Sequence, residues 1–118
     1  MKTFKERRKH ERYIINKQPT LLLSPITVLS YGVLDISYSG LAFVYAGWEN
    51  WPKKEIMLDI IDENFYMEDI PIHVIGDVKI DDVSKTLKVL RRCGIKFNGL
   101  KDNQKAILRQ YIENVAAN

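Results

Sequence analysis

Cysteine is almost missing from these 118 residues: Cys93 stands alone. No internal disulfide can form, which fits a reducing compartment. Histidine is nearly as scarce, with His10 and His73 only. With Cys93 they supply no spacing that would gather the three or four ligands a metal needs, so neither metal nor cofactor is expected. Long apolar runs are also missing. Runs such as Leu21-Leu22-Leu23 are too short for a membrane-spanning helix. The cationic N-terminus is followed by no continuous apolar stretch and no small-residue cleavage site, so the chain is expected in the cytoplasm, without membrane insertion. There is no glycine-rich phosphate loop, no Ser-His-Asp or Cys-His pairing and no recognisable acid–base pair; an enzyme is not expected. Without internal repeats, low-complexity tracts or an interdomain linker, the length suits one domain.

What remains is an ordinary globular composition, 46% apolar and 28% charged, which excludes a disordered tail. The net charge of +3 is unevenly spread. Residues 1–12 hold Lys2, Lys5, Arg7, Arg8, Lys9 and Arg12 against Glu6 and Glu11, a local +4, so the rest of the chain carries −1. A nearly neutral body with a cationic arm points to an anionic partner met locally, not along a broad surface. The arm is taken as residues 1–13 and the body as 14–118. With four close cations and little apolar content, the arm is expected to be mobile alone and to fold over an anion that neutralises it.

Beyond the arm the pattern is strand-like. "TLLLS" (20–24), "TVLSYGVLDIS" (27–37), "GLAFVYA" (40–46) and "EIMLDII" (55–61) read as strands, the second and third as a hairpin, with "DEN" (62–64) as a turn. In "DIPIHVIGDVKI" (69–80) the period of two places Ile70, Ile72, Val74, Val78 and Ile80 on one face and His73, Asp77 and Lys79 on the other. "IDDVSK" (80–85) reads as a loop. "TLKVLRRCGIKF" (86–97) is a sixth strand with Leu87, Val89, Cys93, Ile95 and Phe97 on one face, Cys93 being a small core residue. The period then changes: Ile107, Leu108, Tyr111, Ile112 and Val115 form one apolar stripe of a helix over about 101–116. Six strands and a helix predict an all-β fold, a closed or nearly closed barrel with the helix over an opening or on the outside. Trp48 and Trp51 are expected to pack on the barrel.

Two short stretches carry chemistry. "RRKHER" (7–12) spaces Arg8 and Arg12 four apart, with Arg7 beside them. "DISYSG" (35–40) places Asp35 and Ser37 two apart, hence on one side of an extended backbone, and ends in Gly40, which lets the chain turn or a ligand approach closely. Guanidinium forks match a phosphate or the O6/N7 edge of guanine. A carboxylate accepts from guanine's N1–H and N2 amino group, and a hydroxyl serves a phosphate or a base. Together they would read a guanine nucleotide with more than one phosphate. Arg91 and Arg92 offer a further cation; alternation sends their side chains to opposite faces, so at most one would serve. Each stretch also has a plainer meaning: arginine-rich arms are usually solvated, and D-x-S-x-x-G is often turn chemistry alone.

On these residues the chain resembles the PilZ domain family, receptors for the bacterial second messenger cyclic di-GMP. "RRKHER" is similar to its RxxxR motif through Arg8 and Arg12, "DISYSG" to its [D/N]-x-S-x-x-G motif through Asp35, Ser37 and Gly40, and "CGIKFNGL" with the helix to its last strand and helix. The resemblance covers essentially the whole chain. It implies a six-stranded antiparallel β-barrel with a C-terminal helix, and cyclic di-GMP as ligand. Arg8 and Arg12 would hold phosphates and guanine edges, Asp35 and Ser37 would reach the ligand from the barrel, Gly40 would permit the geometry, and Arg7 would add a guanidinium that goes with a stacked pair of ligands. A stand-alone receptor needs a downstream protein to signal to. The competing readings are a PilZ-like protein–protein adaptor that binds no nucleotide, and a small nucleic-acid-binding barrel. The intact motifs stand against the first. Against the second stand the confinement of charge to one arm and the poor fit of Asp35 to a phosphate backbone.

Overall fold

The computed structural model describes residues 11–24, 29–46, 51, 55–80 and 90–117. Seven strands and one helix follow in order: β1 (Tyr13–Ile14), β2 (Thr20–Ser24), β3 (Leu29–Ile36), β4 (Gly40–Ala46), β5 (Ile56–Asp62), β6 (Phe65–Lys79), β7 (Leu90–Phe97) and α1 (Asp102–Ala117). All pair antiparallel in one sheet of order β1-β3-β4-β7-β6-β5-β2. The six expected strands are present. The seventh is β1, two residues long, which pairs Tyr13 with Ile36 and Ile14 with Asp35. It was unreadable as a strand because two residues show no period.

Among the described residues no ladder joins the end strands β1 and β2, so the sheet is not closed. Where β1 stops, the side chain of Gln18 continues the pairing of β3. Its Oε1 accepts from the Val33 N–H at 2.6 Å, and its Nε2 donates to the carbonyls of Val33 (3.1 Å) and Ile15 (3.2 Å). One carboxamide thus supplies the donor and acceptor a strand would have supplied.

Inward-facing residues from every strand but β1 meet in one core, including Leu21, Ile36, Phe43, Tyr45, Leu58, Ile60, Ile70, Ile72, Cys93 and Ile95. Helix α1 adds Leu108, Tyr111 and Ile112 from the expected stripe, and it packs against β6 and β1. Tyr111 stacks on Phe65 with ring centroids 4.1 Å apart. Gln104 fixes the start of α1: its Oε1 accepts from the Lys101 N–H at 2.9 Å, and its Nε2 donates to the carbonyls of Glu68 (2.9 Å) and Asp69 (3.3 Å). No helix among the described residues is long and apolar enough to cross a membrane.

One expectation needs correction. Val78 does not share the inward face of Ile70 and Ile72; it is 65% exposed. The register of β6 on β7 jumps between Val74–Ile95 and Gly76–Gly94, leaving Ile75 as an extra residue. A bulge reverses the alternation, so Asp77 turns inward and Val78 outward. The start of β6 was also hidden. Its register against β5 shifts around Glu68 and Asp69, where Asp69 adopts φ 55°, so the period of two starts only at 69 although the strand starts at Phe65. The 80–85 loop lies outside the described residues apart from Ile80, as do Leu87, Val89 and Trp48.

Candidate functional site

Asp35 reaches the surface because β3 is irregular beside it. Val33 and Ile36 both face the core, three residues apart, and the register against β4 shifts between Val33–Phe43 and Asp35–Ala42. Without that bulge Asp35 would point inward with Val33. Its carboxylate is instead 17% exposed on the outer face, with a guanidinium at each oxygen. Arg12 Nη1 lies 3.4 Å from Oδ1, and Arg92 Nη2 lies 4.0 Å from Oδ2. β1 pairs Ile14 with Asp35, which brings Arg12 to the carboxylate across 23 positions of sequence. Arg92 arrives from β7, beyond β4, roughly 10 Å across two strand spacings. The residue opposite Asp35 on β4 is Ala42, whose methyl group leaves a long side chain room to cross.

Arg91 has a different surrounding. Its side chain and that of Asp77 are only 10% and 11% exposed, and its Nε donates to Asp77 Oδ1 at 2.8 Å. The other oxygen, Oδ2, accepts from Tyr45 Oη and Trp51 Nε1, each at 2.7 Å. Trp51 also meets Tyr45 edge to face, centroids 5.4 Å apart, so it packs on the barrel as expected. Burial by itself would raise the Asp77 pKa. The hydrogen bonds from Tyr45, Arg91 and Trp51, with the charge of Arg91, outweigh it and hold the carboxyl below the usual range. Burial, hydrogen bonding to Asp77 and its negative charge raise the Tyr45 phenol. Burial and Asp77 push the Cys93 thiol up to about 12, that of an inert core residue.

The ion pairs at the two carboxylates therefore differ in kind. Short, buried and fully bonded contacts around Asp77 hold the fold. The contacts at Asp35 exceed the 2.7–2.9 Å of a good charge-assisted bond. Arg12 and Arg92 are 33% and 50% exposed, and such pairs contribute only about 0–1 kcal/mol. Their value to stability is small, and their donors are open to an anion.

The rest of the D-x-S-x-x-G stretch builds the turn after β3. Ser37 is buried and past the end of the strand. Its Oγ lies 3.1 Å from Ser39 Oγ and accepts from the Ser39 N–H at 3.2 Å, while its N–H donates to the Gly40 carbonyl at 2.8 Å. Gly40 pairs with Lys96, and a Cβ there would run into the Ile95 carbonyl. The close approach it allows is that of β7. The structure thus brings Arg12 and Asp35 together, adds Arg92, and sets Ser37 and Gly40 in the adjoining turn. Arg7 and Arg8 lie outside the described residues.

Sequence reasoning missed the Asp77 cage because the β6 bulge hid its inward turn. It also missed a cleft of about 450 Å³ between the Ile15–Lys17 link, the β5–β6 turn and α1. That cleft is lined in part by Tyr111, whose buried hydroxyl lacks a hydrogen-bond partner. Among the described residues no three His, Cys, Asp or Glu side chains gather to hold a metal ion.

Compared with known families, residues 6–114 match the model of the PilZ domain. No curated protein matches the chain.

Proposed function

The chain belongs to the PilZ domain family, and from that premise we propose that it binds cyclic di-GMP at Asp35 and passes the event to a partner protein. PilZ domains are in general receptors for this messenger. The observation that carries the reading for this chain is the Asp35 carboxylate, partly exposed and loosely held between guanidiniums. Cyclic di-GMP has two guanines and two phosphates. Asp35 accepts from the N1–H and N2 amino group of a guanine; Arg8 and Arg12 take phosphates and guanine edges. Ser37 and Gly40 hold the turn that presents Asp35, with the Ser37 hydroxyl available to the ligand if its bond to Ser39 opens. Arg7 supplies a further guanidinium and goes with a second, stacked ligand molecule. The ligand leaves unchanged: the site binds and does not turn over.

Residues 1–13 act as the cationic arm and 14–118 as the body. The ligand's phosphates neutralise the arm and draw it onto the barrel, and the repositioned surface is what the partner senses. Amide hydrogen exchange with and without cyclic di-GMP tests this step: the arm gains protection on binding, and equal protection in both states removes it.

The function itself is tested by isothermal titration with cyclic di-GMP, using GTP and a generic oligonucleotide as controls. Tight, selective binding is expected. The molar ratio should fall from two to one in Arg7→Ala, a count that follows from the stacked pair proposed for Arg7. Arg8→Ala, Arg12→Ala and Asp35→Ala should each lose about 2–5 kcal/mol of binding while the barrel still folds. A folded chain that ignores cyclic di-GMP would overturn the reading and favour the adaptor.

A further inference from the structure

Arg91 and Arg92 are neighbours with opposite surroundings. Arg91 is built into the Asp77 cage. Arg92 is half exposed, and among the described residues its ion-pair partner is Asp35, at 4.0 Å. Resting on cyclic di-GMP as the ligand, we propose that Arg92 is a further ligand-contacting residue, a strand-borne guanidinium that takes a ligand phosphate from the barrel side while Asp35 takes a guanine.

Three features lead there. The first is geometry: each Asp35 oxygen faces one guanidinium, Oδ1 toward Arg12 and Oδ2 toward Arg92. A guanine edge engages both oxygens of a carboxylate at once, through N1–H and the N2 amino group. Its arrival displaces both guanidiniums, and the phosphates of the same ligand offer them new partners. The second is charge. Two guanidiniums around one carboxylate leave a local excess of +1, which an anion neutralises. The third is rigidity. Arg92 sits within β7, which is paired with β4 on one side and β6 on the other. Arg12 precedes the two-residue edge strand β1. The phosphate grip then has one fixed jaw on the barrel, and the arm supplies the other. A fixed guanidinium loses less freedom on binding than one on an arm.

The test is titration of the full chain with cyclic di-GMP, comparing the parent with Arg92→Ala, Arg92→Lys and, as a control on the exposed face of α1, Arg109→Ala. Phosphorus NMR of the saturated complexes and a thermal melt of each variant accompany it. Arg92→Ala should bind at least about tenfold more weakly, a loss of about 1.4 kcal/mol. Arg92→Lys should recover part of that loss, since it keeps the charge without the fork. Arg109→Ala should match the parent, and all melts should stay close together. The bound ligand's phosphorus resonances should move in Arg92→Ala. Parent-like affinity in Arg92→Ala overturns the inference. So does weakened binding with unmoved phosphorus resonances, because Arg92 would then only position Asp35. A parent that binds no cyclic di-GMP brings down the functional reading and this inference together; a parent that binds beside an unaffected Arg92→Ala removes this inference alone.

Discussion

Gly40 and Asp77 show how a single residue's role depends on its nearest backbone or charge. A methyl group at Gly40 meets the Ile95 carbonyl, a fixed backbone atom that cannot rotate away. Gly40→Ala is therefore expected to destabilise the barrel by about 1–3 kcal/mol, read as a lower urea midpoint, before any effect on ligand is considered. Asp77 has the reverse problem: what matters is what would be left behind. Asp77→Ala removes the carboxylate to which Arg91, Tyr45 and Trp51 all donate, at a cost of about 3–5 kcal/mol. The depressed pKa of Asp77 also fixes a direction with pH. A carboxyl that titrates lower in the folded chain than in the unfolded one contributes stability that is complete above about pH 4. That contribution is lost as the pH falls through the folded value. Urea midpoints measured from pH 6 downward should fall below about pH 4 in the parent. In Asp77→Asn the acid-side fall should be shallower. Equal slopes would mean that other carboxyls set the acid limit.

At the scale of elements, alternation was readable between bulges and misleading across them. Strand β5 alternates buried and half-buried residues, and Cys93, Ile95 and Phe97 face the core as their spacing implied. Arg91 and Arg92 split to opposite faces for the same reason. One extra residue at Ile75 then exchanged the faces of Asp77 and Val78, because register is a property of the pair of strands and not of either alone. The same limit applies at the site. The pairing of Arg12 with Asp35 could be suspected from their motifs, but the bulge that turns Asp35 outward and the reach of Arg92 from β7 are set by strand pairing. Ser37 was legible as turn chemistry, and its buried hydroxyl is occupied in that way. The helix stripe was legible too, whereas its anchor was not: a glutamine at 104 carries no apolar signal. Gln104 caps the first turn and ties α1 to β6 in one side chain. Gln104→Leu should leave the Lys101 N–H and the Glu68 and Asp69 carbonyls without these partners. A loss of about 1–3 kcal/mol is expected, with a lower helical signal in circular dichroism as the melt begins. A parent-like melt would show that water replaces the amide without cost.

Over the whole molecule, stability and binding draw on different electrostatics. The fold rests on a buried core and on the enclosed Arg91–Asp77 pair, which salt screens little. The proposed ligand site rests on partly exposed guanidiniums at Arg12 and Arg92, on a chain whose first twelve residues carry +4. Those charges are screened as the screening length shrinks from about 10 Å at 0.1 M salt to about 3 Å at 1 M. The two should therefore separate in one experiment. Without ligand, the melting temperature should change little between 0.1 M and 1 M sodium chloride. With cyclic di-GMP at about one hundred times its dissociation constant, mass action adds about 2.7 kcal/mol of stability for each ligand molecule bound. For a domain of this size that raises the melting temperature by about 10 °C. At 1 M salt and the same ligand concentration, most of that rise should vanish, because weaker phosphate contacts lower the ratio of ligand to dissociation constant. A ligand-induced rise that survived 1 M salt would mean that apolar stacking holds the messenger, with the guanidiniums serving only its approach.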